Sequence, residues 1–206
     1  MTQNKRHRKT CTALYAALLS MAIMTGCAGS SDGENSAGSA TSSPATESAA
    51  NGDTQAQQTD TTAFPSFTAA DLDGNTVTES IFGEKDLTIL NIWGTFCGPC
   101  IGEMPELGEW AKEMPDNVQI VGLIIDIDGE DDTEHRDLAV DITQQAGVDF
   151  TNLIANADFA PILKDVIGVP TTLFIDGEGN LVGDPIVGAD VDGYKTFVED
   201  YLVSAD

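Results

Sequence analysis

Two cysteines three positions apart, in Cys97-Gly98-Pro99-Cys100, are the residues best placed for chemistry in this 206-residue chain. At that spacing two thiols can close into a disulfide and open again. The run before them, Leu87–Trp93, is apolar and β-branched and reads as a buried strand. The run after them, 99–114, reads as an amphipathic helix. Cys97 therefore falls where a strand turns into a helix N-terminus, beside free backbone N–H groups and the positive end of the dipole. That setting favours thiolate over thiol, and the thiolate is the attacking species in disulfide exchange. A structural staple is a weaker reading, because closing so short a loop removes only about 2 kcal/mol of chain entropy. A zinc site needs four ligands, and the histidines are only His7 and His135, with no second Cys-x-x-Cys. Two unrelated core cysteines fit poorly with the Gly-Pro turn between them.

The elements that must hold this pair follow from period and punctuation. Phe64-Pro-Ser-Phe-Thr and Thr76-Val-Thr flank the turn 71–75 and predict a short hairpin. Strand 87–93, helix 99–114 and strand 118–125 come next. A polar helix near 131–147, a strand at 150–154 and a helix near 157–167 follow. Strand 171–175, a turn at 176–180, strand 181–187 and a helix at 190–203 complete the series. Strands alternating with helices predict a mixed α/β sheet covered on both faces.

The N-terminal segment bears on where the chemistry takes place. Lys5-Arg-His-Arg-Lys9 is a basic stretch, followed by an apolar run from Cys11 to Met24. That run is short for a membrane span and matches the hydrophobic region of a signal peptide. It ends at Met24-Thr-Gly-Cys27, which is similar to the bacterial lipobox and makes Cys27 the expected lipidation site after cleavage of residues 1–26. Residues 28–63 contain no aromatic residue and no Lys or Arg. They cannot bury a core and are expected to be a disordered tether with a reach of roughly 30–36 Å. Residues 64–206 are then one ordinary domain.

Five of the 34 acids lie in the tether and four of the nine bases before residue 10, which leaves residues 64–206 near −24. Such a surface repels nucleic acid and anionic head groups, so neither is expected as a partner. The acidic run Asp126–Asp132 lacks the glycine at the sixth position of a calcium loop and reads as a solvated loop.

Trp93, Cys97-Gly-Pro-Cys100, Glu103-Met-Pro105 and Gly168-Val-Pro170-Thr171, in that order, resemble the TlpA/ResA-like group of thioredoxin-fold thiol–disulfide oxidoreductases. The resemblance covers Phe64 to the C-terminus. It implies a thioredoxin fold: a central mixed sheet flanked by helices, an N-terminal hairpin extension, and a strand–helix insertion between the Cys-x-x-Cys helix and the strand after Pro170. It implies a redox disulfide Cys97–Cys100, with Cys97 attacking, Cys100 resolving and Glu103 handling protons. Trp93, Phe96, Val169 and Pro170 are implied to meet the substrate, with Pro170 preceded by a cis bond and Pro105 kinking the helix. Glu103 lies one helical turn from Cys100. Asn91 occupies the strand position where plain thioredoxin has a buried aspartate, which strengthens the reading of Glu103. Phe96 stands where relatives often have Trp or Tyr, and predicts a more apolar groove.

The resemblance further implies a monomeric, membrane-anchored enzyme without cofactor or metal, on the outer face of the cytoplasmic membrane. Its expected substrates are exported protein disulfides, of cytochrome c maturation, methionine sulfoxide reductase or other proteins, and its expected donor is a membrane carrier of the CcdA/DsbD type. Two rival activities share the fold. A redoxin-type peroxidase places Thr or Ser three residues before the attacking cysteine, where this chain has Gly94. A copper-delivery protein needs a downstream histidine, for which the candidate is His135.

Overall fold

The computed structural model describes residues 62–205. The expected signal segment, Cys27 and the tether up to residue 61 lie outside the described residues. In chain order the elements are β1 (Thr68–Ala70), β2 (Thr76–Thr78), β3 (Leu87–Trp93), α1 (Gly98–Glu113), β4 (Val118–Ile124), α2 (Thr133–Ala146), β5 (Asn152–Ile154), α3 (Ala160–Leu163), β6 (Thr171–Asp176), β7 (Ile186–Val187) and α4 (Val191–Ala205).

Every residue of β3 is buried, polar Thr88 and Asn91 included, as a strand at the centre of a two-faced sheet requires. The sheet order is β5-β4-β3-β6-β7. β4 runs parallel to β3 and β5 parallel to β4, while β6 is antiparallel to β3 and β7 antiparallel to β6. Side chains alternate along β3 and divide the apolar interior in two. Leu87, Ile89 and Trp93 pack on one face with Cys100, Met104 and Leu107 of α1 and Tyr194 and Val198 of α4. Leu90 and Ile92 pack on the other with Phe64, Phe67, Phe82 and Phe159. Each large apolar side chain buried in this way contributes roughly 1.5–3 kcal/mol. The mixed α/β sheet flanked by helices, with its N-terminal hairpin, is the architecture expected from the sequence.

Three boundaries differ. The chain from Phe64 to Phe67 is core rather than strand: both rings join an edge-to-face cluster with Phe82, centroids 5.0 and 5.9 Å away, and the first strand begins only at Thr68. The helix expected over 157–167 reduces to a 3-10 turn, Ala157–Phe159, and the four-residue α3. None of α3's side chains is fully buried: Ile162 and Leu163, with Val166 after them, pack only partly against the core, and Ile167 beyond is 89% exposed. The strand expected over 181–187 pairs only at Leu181 and at β7. Between them Gly183 takes a positive φ of 67° and Pro185 has no N–H to give a ladder.

Candidate active site

β3 ends at Trp93, and the chain turns through Gly94-Thr95-Phe96 into the N-terminus of α1. The carboxylate of Asp126, just past β4, holds that turn. It accepts the Thr95 backbone N–H at 2.9 and 3.0 Å and the Thr95 hydroxyl at 2.6 Å. Cys97 is the N-cap of α1, and its Sγ accepts the Cys100 N–H at 3.2 Å. The two cysteines are joined in a disulfide. Cys100 is fully buried and Cys97 is 5% exposed, so only Cys97 reaches solvent, and narrowly. A hydrogen-bond donor at the N-cap sulfur and the positive end of a 16-residue helix both stabilise a thiolate on Cys97 when the bond is open.

Facing the disulfide is the turn before β6. The Val169–Pro170 peptide bond is cis. The Val169 carbonyl oxygen lies 3.4 Å from Cys97 Sγ, and the Pro170 carbonyl accepts the Gly188 N–H at 2.8 Å. A groove of about 490 Å3 runs over Cys97, walled by Phe96, Pro99, Ile125, Ile167 and Val169. Phe96, 70% exposed, stands at its lip. Trp93 is not on this groove: it is fully buried, with its indole N–H donated to Asn152 Oδ1 at 3.0 Å. Strand alternation aims it beneath α1, where no partner chain can touch it.

Beneath α1, Glu103 is buried at 5% exposure. Its Oε1 accepts from Asn91 Nδ2 at 2.9 Å and its Oε2 from the Tyr194 hydroxyl at 3.2 Å. The Asn91 amide also donates to the Thr172 hydroxyl at 3.2 Å, while Asn91 Oδ1 has no partner among the described residues. Burial holds the Glu103 carboxyl above the usual carboxylate range. The Asn91 and Tyr194 hydrogen bonds pull the other way, and the charge of Glu106 adds a smaller upward push.

The AhpC/TSA family profile matches residues 61–183. A curated relative, the thiol-disulfide oxidoreductase ResA of Bacillus thuringiensis, is 31% identical over 140 residues, 67% of this chain and 73% of that protein. The chain belongs to the ResA-like thiol–disulfide oxidoreductases of the AhpC/TSA family. Solved structures bear out the fold. A thioredoxin-family thiol:disulfide interchange protein of Chlorobium tepidum superposes with a TM-score of 0.53 at 24% identity, over 63% of this chain and 88% of its own. The thioredoxin domain of a thiol-disulfide oxidoreductase of Bacteroides vulgatus gives 0.54 at 22% identity, over 68% and 95%.

In this ResA-like oxidoreductase the structure brings Phe96, Cys97 and Val169 to one groove, with Cys100 and Pro170 buried directly behind Cys97 and Val169 and Glu103 buried beneath α1. Sequence reasoning missed Asp126, Tyr194 and Asn152, which act across 31, 91 and 59 positions of chain. A faint signal existed for Asp126 alone, the first acid after the strand that pairs with β3.

The perturbed carboxyl makes stability depend on pH. Because the folded chain raises the Glu103 pKa, it binds that proton more tightly than the unfolded chain does, where a glutamate titrates near about 4.3. Stability from this group is full below that value, falls as pH rises through the folded pKa, and then levels off. Glu103→Gln carries no such loss, so its stability relative to the parent should climb with pH across that window. Denaturant unfolding of the oxidised proteins from pH 4 to 8 checks this, and a constant difference would show that Glu103 ionises as freely folded as unfolded.

Proposed function

We propose that the protein is a lipid-anchored reductase of protein disulfides, working on the outer face of the cytoplasmic membrane. What carries the reading is the Cys97–Cys100 disulfide at the N-terminus of α1, opening on an apolar groove beside the Val169 backbone. A relative named as a thiol-disulfide oxidoreductase supports protein disulfides as the substrate class. Residues 1–26 serve as the signal peptide, Cys27 as the lipidated residue and 28–63 as the tether.

In the reduced protein, Cys97 thiolate attacks one sulfur of a partner disulfide. A Cys97–partner S–S bond forms, and the second partner sulfur leaves as a thiolate and takes a proton. Cys100, losing its proton toward Glu103, then attacks Cys97 Sγ. The mixed bond breaks, the first partner sulfur leaves as thiol, and the Cys97–Cys100 bond closes. Two electrons have passed from the pair to the partner. Phe96 and Val169 line the groove that receives the partner chain, whose backbone can pair along Val169. A membrane carrier of the CcdA/DsbD type returns two electrons to the pair, and the enzyme acts as a monomer.

The peroxidase alternative loses support from Thr95. Its hydroxyl, one residue after the expected peroxide-holding position at Gly94, is committed to Asp126 at 2.6 Å. The copper alternative loses support from His135, whose Nδ1 is held by Asp132 at 2.8 Å at the start of α2.

Direction is tested by the reduction potential of the pair, measured against glutathione or dithiothreitol buffers. The Gly-Pro dipeptide is shared with thioredoxin, near −270 mV, so a value in that region is expected, on the order of 100 mV or more below the strong oxidant DsbA. A value above about −180 mV would reassign the enzyme to oxidation or isomerisation.

A further inference from the structure

Tyr194 lies in the first turn of α4 and is fully buried, yet its hydroxyl meets Glu103, Gly188 and Asp190, with the neutral Thr172 hydroxyl also within its reach. The Tyr194 oxygen is 3.2 Å from Glu103 Oε2 and 2.8 Å from the Gly188 carbonyl oxygen, and the Asp190 N–H points to it at 3.4 Å. A hydroxyl has one proton to give and lone pairs to accept with. When Glu103 is protonated, the acid can donate to the Tyr194 oxygen while Tyr194 donates to Gly188, and every group is satisfied. When Glu103 is ionised, both neighbours are acceptors and one proton must choose between them. A bond to a charged carboxylate is roughly twice as strong as one to a neutral carbonyl. The Gly188 carbonyl is only part-buried and turns to water more readily than the Glu103 carboxyl, which is 5% exposed. The proton therefore swings to Glu103.

Gly188 is the other end of the link. Its N–H holds the Pro170 carbonyl at 2.8 Å, and the Val169 carbonyl, one residue earlier, lies 3.4 Å from Cys97 Sγ. We infer that Tyr194 is a positioning residue for disulfide exchange, its single hydroxyl tying the protonation of Glu103 beneath the cysteines to the placement of the Val169–Pro170 segment above them. The inference deepens the reading of Cys97 and Cys100 as the exchanging pair and rests on it.

Other groups facing Glu103 do not supply this link. On α1 they are the cysteines and Glu106, the latter paired with Lys195 at 2.7 Å. β3 and β6 present Asn91 and Thr172, which do not titrate. Ahead of and within α4, Asp190 and Asp192 line a polar cleft of about 310 Å3 that reaches Glu103 between Pro99 and Gly102, open to solvent. Burial raises the Tyr194 pKa further, so the hydroxyl keeps its proton across the physiological range.

The test uses the full chain with Tyr194→Phe, Glu103→Gln and both together. Tyr194→Phe keeps the ring and deletes only the hydroxyl. The reduced proteins are alkylated with iodoacetamide from pH 5 to 9, and labelling of Cys97 is read by mass spectrometry of its peptide, apart from Cys11 and Cys27. Without Tyr194 the Glu103 carboxylate keeps only the Asn91 amide, so Glu103 stays protonated to higher pH and the thiols lose a nearby negative charge. The Cys97 profile should then move to lower pH by about half a pH unit or more, as it does for Glu103→Gln. In the double variant no further movement should appear. Insulin reduction should also fall several-fold more in Tyr194→Phe than reaction with a small aromatic disulfide, because only the polypeptide needs the Val169 segment in place. An unmoved Cys97 profile, or equal and additive movements in the two backgrounds, overturns the inference. The alkylation arm gives that answer even if insulin proves not to be reduced, an outcome that would count against the reductase reading and leave the Tyr194 result standing on its own profile.

Discussion

Replacing Cys100 with serine should stop the enzyme half-way through its cycle. Cys97 can still open a partner disulfide, but no second thiol stands one turn inside α1 to release the product, so the partner stays attached. The expected result is turnover at background together with a covalent adduct on Cys97 that reducing agent removes. Cys97→Ser should lose turnover and form no adduct, since Cys100 is fully buried and cannot be reached from the groove. Mass spectrometry of the trapped species in the native envelope identifies the partner in the same experiment. Adducts that persist in Cys97→Ser and vanish in Cys100→Ser would exchange the two roles.

The largest structural effect is expected at a residue with no side chain. Gly122 lies in β4 opposite Asn91 of β3 and Asn152 of β5. A methyl group there runs into the Asn152 side-chain amide, with Trp93 Nε1 also within 3.1 Å. Asn152 uses Oδ1 to receive the Trp93 indole proton and Nδ2 to reach the Phe150 carbonyl at 2.9 Å. It cannot move aside and keep both. Gly122→Ala should therefore cost about 2–4 kcal/mol, from overpacking and from a buried indole N–H left unpaired. Denaturant unfolding measures it. A loss under about 1 kcal/mol would mean that the amide swings away at no cost and that Trp93 does not depend on it.

These two residues mark the limits of what the chain discloses by itself. β3, α1, β4 and β6 lie within a residue or so of their expected bounds because their signals are local: continuous apolar runs, Gly-Pro at a helix start, Pro before a strand. Cys97 and Cys100 are legible for the same reason, whereas the cis bond and the role of the Val169–Pro170 turn rest on the family resemblance. The family resemblance implies Trp93 as a residue that meets the substrate. The period of β3 decides otherwise and turns it to the same face as Ile89, under α1. Glu103 was legible as a carboxyl one turn from Cys100, and Asn91 as its neighbour on the strand, but nothing in the local pattern pointed to Tyr194. The hydroxyl reaches Glu103 only because α4 packs back across α1, a meeting set by the whole sheet. Gly122 carried a weak sign, a lone glycine inside an apolar strand, which often marks a close approach.

The edges of the sheet carry one more consequence. On one side, Asp71 and Leu72 close over β5, with an antiparallel bridge from Asp71 to Leu153 and the Leu72 N–H donated to Asn152. On the other, β7 is two residues long and follows Pro185. A long bare sheet edge is a template for pairing with other chains and for aggregation. Here the sheet margin has little unpaired backbone to give. Under the proposed function, that leaves the short stretch beside Cys97 as the place where a partner's extended backbone docks.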